Sequence, residues 1–175
     1  MAQENLSIKF KELKMIKKKF FLVSIFLFFF SLTNYGKTAL RDELPNLLKS
    51  TNYEIGERRV KKAIKYDARG KYKKANKLYS EALKYFLLAN EDSPANSSIY
   101  FYLGFISKNL EKLLDAEIYY SLGTEVDPNN TKINNFLGQL YLETNRLNKA
   151  KEKLNIIKNC NCDDFAELQN LILNN

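Results

Sequence analysis

Cys160-Asn161-Cys162 is the one stretch of this chain whose residue types and spacing could do redox or metal chemistry. Oxidised, the pair would close a ring across a single residue, with a potential more oxidising than that of a structural disulfide. As thiolates the pair would supply two zinc ligands, and without histidine only Asp163, Asp164 or another chain could complete the set. The chain has no histidine, no tryptophan and six glycines without a Gly-rich loop. Histidine triads, histidine metal sites and backbone phosphate cradles are thereby excluded. Asp115, Glu117 and Glu125 are scattered along helical faces with no nucleophile paired to a base. The sequence therefore gives no catalytic residue, no metal centre and no cofactor.

These residues sit in a chain of 175, which is one domain or a short repeat array. Apolar residues make up 45% and charged residues 27%, enough to build a core. The net charge of +8 is unevenly spread. Residues 1–33 carry six lysines and two glutamates, residues 37–90 fourteen cations and six acids, and residues 91–175 eight cations and twelve acids. The C-terminal half is mildly acidic without clustered cations, so the charge does not support a nucleic-acid surface.

Six lysines, Lys9 to Lys19, lead into thirteen uncharged residues, Phe20 to Leu32. That length suits the apolar region of a secretory signal and is short of the roughly 20 residues of a spanning helix. Starting at Met15, the segment would be a compact signal; the small residues near Ser31-Leu-Thr33 and Asn34-Tyr-Gly36 mark cleavage weakly. Residues 1–33 are thus expected to be a signal peptide or an uncleaved membrane anchor. Either way the positive flank would stay cytoplasmic and the folded part would lie outside. With the Lys-, Asn-, Ile- and Phe-rich composition, this predicts a periplasmic protein if the signal is cleaved and a membrane-anchored one if it is not. Residues 34–53, with Gly36 and Pro45, read as a linker.

From Glu54 the apolar period is helical, with sparse punctuation at Gly70, Pro94 and Pro128. Pro94 and Pro128 lie 34 residues apart, as do Leu103-Gly104 and Leu137-Gly138, Ile99 and Ile133, and Leu113 and Leu147. Ala82, Ala116 and Ala150 follow the same step. Each unit holds two helices: Asn96 and Asn130 are N-caps, and Asn109 and Asn145 fall where the chain reverses. Gly104 and Gly138 allow close helix approach, with Ala116 and Ala150 expected to face the gap and Tyr120 and Leu154 to fill the next seam.

This pattern resembles the tetratricopeptide repeat family, on Leu103, Gly104, Ala116, Tyr120 and Asp127-Pro128-Asn129-Asn130, then Leu137, Gly138, Tyr141 and Ala150. An earlier unit, Ala63, Tyr66, Gly70, Tyr72, Ala75, Tyr79 and Ala82, carries the same signature, with seven extra residues before Pro94. The resemblance implies a short right-handed all-α solenoid of about three helix pairs over residues 54–94, 97–130 and 131–162. A capping helix follows at 163–173, with Phe165, Leu168, Leu171 and Ile172 on one face. It further implies a concave groove, lined by the first helix of each unit, that holds an extended peptide or a partner's helix. On these positions the groove residues are Lys61 and Ile64, then Phe101, Phe105 and Lys108, then Lys132, Asn135 and Gln139. The family's clamp for a C-terminal carboxylate is matched only in part, by Lys61, Lys132 and Asn135. Residues 99–106 are apolar all round, which reads either as excess surface for a contact or as a central helix packed on both sides, including by the long helix of the first unit.

Arg58, Lys62, Lys65 and Arg69 share one helical face, continued by Lys71, Lys73, Lys74 and Lys77. This face is either a binding surface for anionic lipid, lipopolysaccharide phosphate or an acidic tail, or a solvated outer side. By resemblance to exported bacterial repeat proteins, Cys160 and Cys162 form a staple before the last helix; free thiols and a metal or redox role stay open. The leading reading is a non-enzymatic interaction scaffold of the cell envelope that binds a protein or peptide partner, with membrane association through the N-terminal segment. The alternative is a thiol-active or metal-carrying accessory factor built on the cysteine pair.

Overall fold

Helix starts and stops set the architecture of residues 51–174, the part described by a computed structural model of the chain. The described residues lie within a unit spanning Ser50–Asn175. They form seven helices and no strand: α1 Asn52–Asp67, α2 Tyr72–Asp92, α3 Ser97–Asn109, α4 Leu113–Val126, α5 Thr131–Glu143, α6 Leu147–Ile156 and α7 Asp163–Leu173. Thr51 opens α1 with a reciprocal capping box to Glu54, so the helix begins inside the stretch expected to be linker. Asn96 and Asn130 accept backbone N–H groups at the starts of α3 and α5.

Each hairpin reverses through the same device. A left-handed residue follows the first helix, Gly70 (φ 66°), Glu111 (φ 61°) and Asn145 (φ 57°) in turn. The next residue donates its N–H five positions back, Lys71 to Tyr66, Lys112 to Ser107 and Arg146 to Tyr141, the Schellman arrangement. Asn109, expected at the second reversal, instead ends α3 and donates its side-chain N–H to the Phe105 carbonyl at 2.8 Å.

The hairpins α1–α2, α3–α4 and α5–α6 stack in order, and α7 packs on α5 and α6. The chain is an all-α solenoid. Repetition of small and large residues builds its seams. A Cβ at Gly104 would lie 2.5 Å from the Tyr120 ring, and one at Gly138 would lie 2.6 Å from Leu168 Cδ2. The glycine gaps are therefore filled by bulky side chains from the facing helix, rather than left to Ala116 and Ala150 as the spacing suggested. Leu154, expected to fill the last seam, is half-buried, and fully buried Leu168 of α7 takes that place. Two core clusters result, one around Tyr79, Phe86 and Leu103, the other around Tyr120, Ile133 and Leu137. Tyr102 and Phe105 pack against both.

At 21 residues, α2 is two turns longer than the 14-residue α4. Its added length carries Phe86, which stacks on Tyr102 at 4.6 Å between centroids. The signal or anchor expected over residues 1–33 and the linker up to residue 50 lie outside the described residues. Among the described residues no helix is long and apolar enough to cross a membrane.

Candidate functional site

The first helices of successive pairs, with α7 after them, are cross-linked side to side by their own side chains. Tyr102 of α3 donates its hydroxyl hydrogen bond to Glu57 of α1 at 3.0 Å. Lys132 of α5 sits 4.3 Å above the Phe101 ring of α3. Lys108 of α3 pairs with Glu143 of α5 at 2.6 Å. From α5, Thr131 donates to Asp164 at 2.6 Å and Asn135 to Glu167 at 2.7 Å, both on α7. One face of the solenoid is thus a layer of α1, α3, α5 and α7 held in register by polar bridges. Beneath the bridges runs an aromatic row: Phe101 meets Phe105 at 6.0 Å and Phe136 at 5.2 Å, and Phe105 meets Phe136 at 5.8 Å.

Most residues named from sequence for the groove gather on this layer, with different accessibilities. Ile64 is 44% exposed, Lys61 and Lys132 are exposed, and Phe105, Lys108 and Gln139 are half-buried. Two need correction as contact residues. Phe101 is buried, because Lys132, Phe136 and Tyr120 cover its ring. Asn135 is fully buried, because α7 brings Glu167 and Asp164 onto its amide while Gln139 donates to its carbonyl oxygen at 2.9 Å. The apolar run 99–106 accordingly packs on both sides, by Phe86 of α2 and by Phe136 of α5.

The cations here are largely satisfied internally. Lys61 pairs with Glu57 at 3.1 Å. That hydrogen bond, helped by the Tyr102 hydroxyl and the Lys132 charge, holds the Glu57 carboxyl below the usual carboxylate range. Burial, with the bond to Glu57, pushes the Tyr102 phenol up. A clamp of free Lys and Asn side chains is therefore not assembled: Lys61 and Lys108 have acidic partners, Lys132 lies on a ring, and Asn135 is enclosed. Sequence reasoning missed Glu57, Phe136, Glu143 and Glu167, and gave Asp164 only as a candidate metal ligand. Only the i, i+4 spacing of Glu57 and Lys61 offered a signal; the others depend on how separate helices face one another.

Away from this layer, Arg58, Lys62, Lys65 and Arg69 are all exposed and, among the described residues, in no ion pair. Neighbouring Arg59 differs, pairing with Glu81 and lying 5.3 Å from the Tyr85 ring centroid. Cys160 and Cys162 are joined by a disulfide of 2.03 Å immediately before α7. The described residues hold no cluster of three or more metal-ligating side chains.

A family model described as the MIT (microtubule interacting and transport) domain matches residues 58–108, less than half of the chain. The match runs from α1 into α3, across the elongated α2 where the 34-residue step is broken. No curated protein sequence matches the chain. Among solved structures, it is similar to the type III secretion translocator chaperone SycD of Yersinia enterocolitica. Identity there is 19% and the TM-score 0.51, over 73% of this chain and 84% of that one. The first TPR of Spaghetti (RPAP3), bound to the HSP90 peptide SRMEEVD, is 19% identical with a TM-score of 0.48, over 71% and 95% of the two chains. The Sgt2 TPR domain from Aspergillus fumigatus is 21% identical with a TM-score of 0.47, over 68% and 77%. The fold is tetratricopeptide-like.

Proposed function

We propose that this chain is a non-enzymatic interaction scaffold that takes a peptide segment or helix of a protein partner along the layer of α1, α3, α5 and α7. The observation that carries the reading is the Phe105–Phe136 pair, half-buried with ring centroids 5.8 Å apart on α3 and α5, in a layer that also carries exposed Ile64 on α1 and exposed Lys132 on α5. A partner laid there gains apolar contact on a surface already rigid, so little ordering cost opposes binding. Because Lys61 and Lys108 already have acidic partners, the occupant is held by apolar and aromatic side chains rather than by a terminal carboxylate. The lysine-rich start and the uncharged run from Phe20 to Leu32 support work in the cell envelope, with the solenoid outside the cytoplasm.

The test is quantitative capture by the full chain beside an Ile64→Glu variant. Ile64 is 44% exposed and outside both core clusters, so the variant should melt like the parent. Loss of a partner that the parent captures supports the layer as the working surface; equal capture by both chains overturns it. Phe101→Ala and Asn135→Ala are unsuitable, since each breaks buried packing.

A further inference from the structure

The hairpin of α1 and α2 carries a row of exposed cations that are in no ion pair among the described residues. Arg58, Lys62, Lys65 and Arg69 recur at three- and four-residue steps on the side of α1 opposite buried Gly56, Val60 and Ala63. Lys71, Lys73 and Lys77 are likewise exposed around and beyond the turn. The acids of the hairpin are engaged by other groups or lie away from this face. Glu54 accepts the Thr51 N–H, Glu57 holds Lys61, and Glu81 holds Arg59. Asp67 is half-buried, on the Ala63 side of α1 rather than on the cationic face. Glu91 and Asp92 lie at the far end of α2 from the turn, where Asp92 accepts from Asn52. At the turn itself, Tyr72 stands 65% exposed beside Gly70, with cations on both sides.

We infer that this hairpin docks on an anionic lipid surface, with its cations on phosphate headgroups and the Tyr72 ring at headgroup depth. Charge complementarity carries the choice of occupant. The cations are spread along one helix and around a turn instead of converging on a cavity, which fits a laterally extended field of phosphates better than one phosphorylated side chain. An exposed tyrosine amid lysines adds what nucleic-acid backbone binding does not need and a membrane interface does. The uncharged run Phe20 to Leu32 on the same chain supplies a second, apolar membrane signal, so two weak signals would act together.

The experiment uses the absence of tryptophan from the full chain. Tyr72→Trp introduces one indole at the turn, and Leu114→Trp, at a position 78% exposed on α4, is the control. Vesicles of phosphatidylcholine alone and with phosphatidylglycerol are added, alongside duplex DNA and an acidic peptide. Expected is a blue shift of the Tyr72→Trp chain with anionic vesicles only, reversed by salt, and no shift of the Leu114→Trp chain. Each cation at such a surface is worth roughly a fivefold gain in partitioning. Adding Arg58→Gln, Lys62→Gln, Lys65→Gln and Arg69→Gln should therefore weaken the response by at least about 100-fold. An unchanged indole at position 72, a shift equal in neutral vesicles, or a response to DNA or peptide but not to vesicles overturns the inference.

Discussion

The seam between α5 and α7 makes a claim that can be weighed in free energy. Gly138 is there because a Cβ would lie 2.6 Å from Leu168 Cδ2 and 2.9 Å from Cδ1, and Leu168 is fully buried. Gly138→Ala should cost about 2 kcal/mol in overpacking and regain about 1 kcal/mol in helix propensity, a net loss of about 1 kcal/mol. Leu168→Ala should cost about 3 kcal/mol by emptying the seam. In the double variant the leucine atoms that the added methyl group would meet are gone, so propensity is regained and part of the cavity is filled. Its cost should be about 2 kcal/mol, roughly 2 kcal/mol less than the separate losses combined. The assay is urea denaturation of the four chains, with amide exchange measured across α7. Solenoids lose terminal units first, so Leu168→Ala should speed exchange in α7 before α3 or α4. Costs that add within about 0.5 kcal/mol would refute the fit of Leu168 into the Gly138 gap.

Other outcomes follow from single sites. The Tyr120 hydroxyl is buried without a hydrogen-bond partner among the described residues, so Tyr120→Phe should leave stability unchanged or raise it by up to about 1 kcal/mol in thermal melts. Arg146 grips Glu117 with two bonds of 2.7 and 2.8 Å and holds its carboxyl below the usual range. The ionised form is thus favoured by folding; its stabilisation is present above the unfolded carboxylate pKa of about 4.3 and is lost as pH falls through the depressed folded value. Glu117→Gln should accordingly flatten the acid limb of a stability-versus-pH curve. The Cys160–Cys162 bridge closes a very short loop, so reduction should cost only about 1–2 kcal/mol. Two thiols should titrate only after reductant is added; immediate titration would contradict the bridge.

The helix pairs were legible because each seam needs the same small and large residues at the same step. Gly104 and Gly138 repeat for this reason, as do Ala116 and Ala150. What was not legible was which large side chain enters each gap, since Leu168 arrives from a helix outside the repeat. The same holds for the site. The tetratricopeptide resemblance implied one layer for Ile64, Phe105 and Lys132, but the burial of Asn135 depends on α7, which presents Glu167 and Asp164 to it. The apolar run at residues 99–106 read either as contact surface or as a helix packed on both sides, and the two extra turns of α2, which bring Phe86 onto Tyr102, decide for packing. At the turns, backbone geometry set by the 34-residue step outweighed local preference, placing Glu111 in the left-handed region where Asn or Gly is more comfortable.

Site-specific photo-crosslinking in intact cells tests the central claim most directly. The photoreactive residue is placed in turn at Lys61, Ile64 and Phe105 on the layer of first helices, and at Lys84 and Leu114 on exposed positions of α2 and α4. The account predicts one protein partner crosslinked from Lys61, Ile64 and Phe105. Adducts arising mainly from Lys84 and Leu114, with none from the first helices, would contradict it.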